Sequence, residues 1–111
     1  MIINQKDLVL LPFPFSNLEK TKVRPALVVS NHYFNSKSHD CILVPLTTNL
    51  NEESFSIIIT QSNLDSGKLI KPSKIRADKI FTAKKDLITI KIGSIQTNIL
   101  EKIKSEISKM F

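Results

Sequence analysis

Two stretches decide the fold: Pro-Ala-Leu-Val-Val-Ser at residues 25–30 and Cys-Ile-Leu-Val-Pro-Leu-Thr at residues 41–47. Each stretch is apolar at successive positions, so a strand formed there has apolar side chains on both of its faces. Strands of this kind are typical of the centre of a sheet that is covered on both sides. The two stretches therefore predict buried central strands, as in a small β-barrel.

Shorter apolar runs, separated by polar turns, continue along the chain and predict further strands. With the two central runs, the predicted strands are 7–15, 25–30, 41–47, 54–59, 69–70, 75–78 and 87–92. The polar stretches 16–23, 31–40, 49–53 and 61–68 are predicted turns or loops. Pro12 and Pro14 lie within the first strand, and because proline donates no ladder hydrogen bond they predict an edge or an interruption there.

The hydrophobic period changes after Gly93. Ile99, Leu100, Ile103, Ile107 and Met110 recur at helical spacing, which predicts one amphipathic helix from Thr97 onward, packed on the sheet. Thr97 and Asn98 are equal candidates for its N-cap. The predicted class is mainly β with a C-terminal helix, in a single domain over residues 1–111.

The composition fits one globular domain: 111 residues, of which 41% are hydrophobic and 23% are charged. No apolar run approaches the ~20 residues of a membrane helix. Lys6 and Asp7 interrupt any secretory signal at the N-terminus. Cys41 is the single cysteine and cannot form an intrachain disulfide, so a reducing compartment is expected. We therefore expect a cytoplasmic location and no association with membranes.

The chain is basic, with 16 Lys and Arg residues against 10 Asp and Glu residues and a net charge of +6. Eight of the basic residues lie between positions 68 and 91. This concentration favours a surface that binds a polyanion such as a nucleic acid. Lysines that keep a small sheet protein soluble and its edges unpaired explain the charge equally well.

Few residues outside the strands offer chemistry. No Gly-rich phosphate loop, G-x-S-x-G, H-E-x-x-H or C-x-x-C motif occurs in the sequence. His32 and His39 share a polar loop, where histidines act as an acid and base less often than they lie solvated at a surface. His39 and Cys41 are two potential metal ligands without convergent partners, so neither a metal site nor a cofactor is predicted.

The two arginines of the chain both stand where a polar segment meets a strand. Arg24 precedes the strand that begins at Pro25, a place from which a rigid element can orient a guanidinium. Arg76 and Asp78 are two residues apart and share a face in strand geometry, which favours a structural ion pair over catalysis. Thr47 ends the second central run, and its hydroxyl can both donate and accept a hydrogen bond.

In their order along the chain, these segments resemble the MazF/PemK family of toxin endoribonucleases. The resemblance rests on DLVLLPFPF at 7–15, KVRPALVVSN at 22–31, ILVPLTTN at 42–49, IRAD at 75–78 and the C-terminal helix. It implies an SH3-like barrel that forms a homodimer and cleaves single-stranded RNA without a metal, leaving 2′,3′-cyclic phosphate and 5′-hydroxyl ends. It also implies a cognate antitoxin, with operator DNA contacted only through the toxin-antitoxin complex.

By position, the resemblance implies catalytic roles for Arg24 and Thr47, a place for Glu19 in a substrate-gating loop, and a functional Arg-x-Asp pair at Arg76 and Asp78. A guanidinium suits charge that develops on phosphoryl oxygens, whereas its high pKa makes it a poor base. Glu19 and Asp78 are both candidates for the base. The residues expected to contact substrate are Lys22, Thr48, Asn49, Lys74 and Lys79.

The chain departs from the family pattern at Lys6, where a glycine commonly precedes the aspartate, and in segment 16–23, which lacks the glycines of many relatives. The same barrel occurs in CcdB-like proteins that poison DNA gyrase without cutting RNA, so the fold alone does not decide the chemistry. A barrel that binds RNA without cleaving it is a third hypothesis.

Overall fold

The computed structural model describes residues 1–14 and 21–111, which form a curled antiparallel sheet and a C-terminal helix. The strands in this part of the chain are β1 Asp7–Pro14, β2 Thr21–Val28, β3 Asp40–Thr47, β4 Ser56–Ile59, β5 Leu64–Gly67, β6 Ser73–Arg76, β7 Phe81–Lys84 and β8 Ile90–Ile95. The α-helices are α1 His32–Lys37 and α2 Thr97–Ser108, and single 3₁₀ turns lie at Gln61–Asn63 and Lys85–Leu87.

The sheet forms a half-barrel with the strand order β4-β6-β3-β2-β1-β8-β5. Strand β3 pairs with β2 along one edge. Its other edge pairs with β7 over Asp40 to Leu43 and with β6 over Leu46 and Thr47. This architecture confirms the predicted class, mainly β with one C-terminal helix, and places the end of β3 next to β6.

The middle residues of β1, β2 and β3 are buried on both faces, as the apolar runs of β2 and β3 predict for those two strands. Because successive strand residues point to opposite faces, one set of side chains packs under α2 and the other on the outer side of the sheet. The inner core includes Leu8, Leu27, Val44, Ile99, Leu100 and Ile103. The outer cluster includes Ile3, Val9, Ala26, Leu43 and Ile88.

Several elements differ from the prediction. Helix α1 and strand β5 lie in the stretches 31–40 and 61–68, which are predicted as loops, and β7 is not predicted at all. The predicted strand 69–70 is wrong, and the strand predicted at 87–92 begins at Ile90 because a 3₁₀ turn occupies Lys85–Leu87. Helix α1 forms in a polar stretch because the Asn31 side chain caps it, accepting a hydrogen bond from the Phe34 backbone N–H.

The C-terminal helix begins at Thr97, as its hydrophobic period predicts. Its N-cap is Gln96, so the prediction of Thr97 or Asn98 as the N-cap residue is wrong. Gln96 makes no side-chain capping bond to the helix. Its side-chain amide donates instead to the Ser62 carbonyl, and its backbone N–H donates to the Asn63 carbonyl. Contacts with the neighbouring 3₁₀ turn therefore fix the start of α2 in place of a capping side chain. Neither α-helix of the described ranges is long and apolar enough to cross a membrane.

The proline-containing half of β1 lies at an edge. Pairing between β1 and β8 ends at Leu10, whereas pairing with β2 continues through Pro12 and Phe13. Because this half of β1 does not pair with β8, its prolines remove no hydrogen bond between the two strands, which agrees with the predicted edge position. Just before β1, Lys6 has a φ of 82°, a conformation that glycine adopts at least cost. Lysine therefore takes a backbone conformation here that favours the glycine expected from the resemblance.

Candidate functional site

A cavity of about 300 Å³ lies at the end of β3, and most of the predicted site residues line it. Thr47 is paired directly with Lys74 on β6, and Arg24 reaches the same cavity from β2. The predicted residues that line this central cavity are Arg24, Thr47, Asn49, Lys74, Arg76 and Lys79. Residues far apart in sequence thus converge because β3 pairs with both β2 and β6.

Other predicted site residues are not in the lining. Lys22 and Thr48 are exposed outside it. Asp78 is also outside the lining, although it contacts a residue that belongs to it. Glu19 lies outside the described residues.

Arg76 and Asp78 form a two-pronged ion pair. Arg76 Nε donates to Asp78 Oδ1 at 2.9 Å, and Arg76 Nη2 donates to Asp78 Oδ2 at 2.7 Å. These bonds stabilise the charged forms of both groups. The hydrogen bonds from Arg76 lower the pKa of Asp78, and those to Asp78 raise the pKa of Arg76. The pair that the sequence places on one face is therefore formed.

Glu53 is a member of the cavity that the sequence does not predict. Its Oε1 lies 2.9 Å from Lys74 Nζ, and its Oε2 lies 2.8 Å from Arg76 Nη1. The hydrogen bond from Lys74, assisted by the charge of Arg76, lowers the pKa of Glu53. Glu52 and Glu53 are adjacent in a polar stretch, and only the path of the loop decides which carboxylate turns towards β6.

Lys74 is a buried cation. Its side chain is 1% exposed, and its Nζ donates to the Asn51 carbonyl oxygen at 2.9 Å in addition to contacting Glu53. A buried ammonium requires such partners because desolvation of an isolated charge is costly. Lys74, expected from the sequence to contact substrate, thus has internal partners.

Thr47 and Asn49 form a small turn at the mouth of the cavity. The Asn49 backbone N–H donates to Thr47 Oγ1 at 3.1 Å, which orients the threonine side chain. A hydroxyl that accepts one hydrogen bond still carries a hydrogen to donate. Thr47 is therefore suited to donate to an anionic oxygen bound in the cavity.

The charges of the cavity favour an anion. Arg24, Lys74, Arg76 and Lys79 line it together with the single carboxylate of Glu53. Phe13 adds an aromatic wall, and its ring packs edge-on against Phe81 with centroids 5.1 Å apart. Cationic side chains beside an aromatic ring suit a nucleotide, which offers both a phosphate and a base.

The histidines and the cysteine lie away from this cavity. His32 and His39 line a different one with Ile2 and Lys85. Burial raises the pKa of Cys41 to about 11, so this thiol is a poor nucleophile and metal ligand. Over residues 1–14 and 21–111, no three His, Cys, Asp or Glu side chains gather as metal ligands.

Solved structures share the fold at low sequence identity. An endoribonuclease in complex with its cognate antitoxin, from a Mycobacterial species, is 20% identical with a TM-score of 0.79, over 96% of this chain and 92% of that one. A second endoribonuclease from a Mycobacterial species is 21% identical with a TM-score of 0.75, over 98% and 90% of the two chains. The MazE-MazF structure from Deinococcus radiodurans is 16% identical with a TM-score of 0.77, over 99% and 96%.

No curated protein matches the chain by sequence. A family model described as the PemK-like, MazF-like toxin of type II toxin-antitoxin systems, however, matches residues 4–111. This match spans nearly the whole chain, including all strands and helices described above. The chain therefore belongs to the PemK-like, MazF-like family of type II toxin-antitoxin toxins.

Proposed function

We propose that the protein is an endoribonuclease toxin that cleaves single-stranded RNA at short sequence motifs and thereby inhibits translation and growth. The observation that carries the proposal is the convergence of Arg24, Thr47 and Arg76 on one cationic cavity. Two structures with the same fold are described as endoribonucleases, which supports the same activity here.

The proposed reaction uses the 2′-hydroxyl of the RNA as its nucleophile. The 2′-oxygen bonds to phosphorus and loses its proton to a base, while the 5′-oxygen of the next nucleotide leaves and takes up a proton from an acid. The products are a 2′,3′-cyclic phosphate and a 5′-hydroxyl. Arg24 stabilises the charge on the non-bridging oxygens, and Thr47 donates a hydrogen bond to the same phosphate. No step in this scheme requires a metal.

Of the two candidate bases, Glu19 and Asp78, the structure describes the surroundings of Asp78. Arg76 lowers the pKa of Asp78, and a carboxylate with a lowered pKa is a weaker proton acceptor. Asp78 is accordingly better suited to hold Arg76 than to take the proton from the 2′-hydroxyl. Comparing the pH-rate profiles of Glu19→Gln and Asp78→Asn assigns the base: the variant that abolishes the acidic limb of kcat identifies it.

The proposed partners follow from the family. One of the two Mycobacterial structures is an endoribonuclease in complex with its cognate antitoxin, and the Deinococcus radiodurans structure is of MazE-MazF. We propose that this protein likewise has a cognate antitoxin, acts as a homodimer in the cytoplasm, and contacts operator DNA only through the antitoxin complex.

The test is cleavage of an unstructured RNA and of the matching DNA in excess EDTA, with the ends of the products identified. We expect RNA to be cut and DNA to remain intact. Arg24→Ala is expected to lower kcat by about 100-fold or more because one preorganised charge is lost from the transition state. Lys102→Ala, which removes an exposed cation from α2, is the matched control.

Growth arrest separates this proposal from a CcdB-like poison that binds a protein target. If induced Arg24→Ala still arrests growth while a chain truncated after Ile107 folds and does not, protein binding is the mechanism. Salt-sensitive RNA binding without products would instead identify a non-catalytic RNA-binding barrel.

A further inference from the structure

Charged side chains in and beside the cavity form a continuous chain of contacts, and its first member, Lys74, is buried. Lys74 and Arg76 are two residues apart on β6, so their side chains leave the same face of the strand. Glu53 bridges them, with one carboxylate oxygen on Lys74 and the other on Arg76. The order of contacts is therefore Lys74, Glu53, Arg76 and Asp78.

All three guanidinium nitrogens of Arg76 contact a carboxylate oxygen. Asp78 contacts Nε and Nη2, and Glu53 contacts Nη1 at 2.8 Å. Asp78 fixes the plane of the group, and Glu53 prevents rotation of the remaining end. Such bonding keeps a planar cation in one orientation, which matters because a small misplacement of a reacting group lowers rate steeply.

Lys74 secures the loop that carries Glu53. Its Nζ contacts both the Glu53 carboxylate and the Asn51 carbonyl, so the loop is attached to β6 at two points. At 1% exposure the side chain has no surface to offer a phosphate. A phosphate that reached Lys74 would first have to displace Glu53.

We propose that Glu53 and Lys74 are positioning residues that hold the Arg76 guanidinium in place for the cleavage reaction, and that Lys74 does not contact RNA. The inference deepens the proposed function and rests on it. It assigns a role to Glu53, which the family pattern quoted above does not include, and it changes the role expected for Lys74.

The kinetic test is Glu53→Gln, with Glu52→Gln as the control because Glu52 is its exposed neighbour. We expect kcat to fall between about tenfold and a hundredfold with KM changed little, since orientation and not binding is lost. In an Arg76→Ala background, Glu53→Gln is expected to lower kcat no further. An equal loss in both backgrounds would show that Glu53 does not act through Arg76.

The test for Lys74 is the salt dependence of binding to a 2′-O-methyl RNA, which cannot be cleaved. Lys79→Met is expected to reduce the slope of log K against log salt by about 0.7, the value for one phosphate contact on a single strand. Lys74→Met is expected to leave the slope unchanged. An equal reduction by Lys74→Met would overturn the proposal and make Lys74 a phosphate contact.

A spectroscopic readout keeps the inference testable if the protein does not cleave RNA. The chain has two arginines, Arg24 and Arg76, so the ¹H–¹⁵N spectrum contains two Nε–H signals, which Arg76→Lys assigns. We expect the Arg76 signal to be sharp and slow to exchange with water, and to broaden in Glu53→Gln and in Lys74→Met. Failure of cleavage with these spectral changes would refute the proposed function alone. An unchanged Arg76 signal in both folded variants would refute the positioning role.

Discussion

The charged residues in and beside the cavity differ in the extent to which water screens their charges. The side chains of Arg76 and Asp78 are 22% and 26% exposed, whereas Lys74 is 1% exposed. An ion pair reached by water contributes little to stability, but removing one partner of a buried charge leaves the other without compensation. Truncation of Glu53 therefore threatens the fold around Lys74, which is why glutamine, whose carbonyl oxygen still accepts a hydrogen bond, is the informative substitution.

The same ion pairs make stability depend on pH. The folded pKa of Asp78 lies below its unfolded value of about 3.9, so the stabilisation is present above that value and is lost as pH falls through the folded pKa. We expect Asp78→Asn to lower Tm at pH 7, and this difference from the unmodified protein to shrink as the pH falls below about 3.9 and Asp78 becomes protonated.

Thermal unfolding followed by circular dichroism at several pH values measures this dependence. Asp86→Asn is the control, because Asp86 is an exposed carboxylate outside the central cavity. A difference in Tm between Asp78→Asn and the unmodified protein that does not shrink in acid would contradict the role of the Arg76 ion pair.

At the scale of elements, the sequence predicts what local pattern determines. The apolar runs of β2 and β3 and the period of α2 identify these elements because each buries a complete face or stripe. Strands β5 and β7 are not predicted because apolar and polar residues alternate only weakly along them. They form by pairing with β8 and β3, which are distant in sequence. The residues of the central cavity likewise include some that the local sequence predicts and some that it does not. Arg24 directly precedes a predicted strand and Thr47 ends one, but the loop that brings Glu53 to Lys74 has no sequence signal.

The pairing of β5 with β8 gives a prediction of its own. Gly67 and Gly93 face each other in the register, and a Cβ added at Gly93 would lie 2.4 Å from the Ser66 carbonyl oxygen. Because the obstructing atom belongs to the backbone, the strands must separate to admit it. We expect Gly93→Ala to lower the free energy of unfolding by about 2–4 kcal/mol.

Urea denaturation measures this loss against Ser94→Ala. That control removes an exposed hydrogen bond between the Ser94 and Ser66 hydroxyls, for which about 1 kcal/mol or less is expected. Equal stability of Gly93→Ala and Ser94→Ala would show that the two strands can move apart at little cost.

The whole molecule combines a net charge of +6 with a cavity that is mainly apolar. A cavity of about 530 Å³ is lined mainly by apolar side chains of β1 and β7, and it shares Phe13, Pro45 and Lys79 with the central cavity. Most of the apolar run at 25–30 is buried within one chain, whereas Leu87 is 48% exposed beside this apolar cavity. Two chains of like charge repel each other least where their surfaces carry fewest charges.

We therefore predict a symmetric homodimer in which a second copy covers the apolar cavity, because a twofold axis sets the same apolar patch of each copy against the other. Light scattering at micromolar concentration is expected to give twice the 12.6 kDa mass of one chain.

Leu87→Glu should yield a folded monomer, since it places a carboxylate in the contact, whereas Ile70→Glu should remain dimeric because Ile70 is 85% exposed outside this cavity. A mass of 12.6 kDa for the unmodified chain would refute the dimer. A dimer that withstands Leu87→Glu would place the contact on another face. Because the two cavities share Phe13, loss of the dimer is also expected to weaken RNA cleavage in the Leu87→Glu variant.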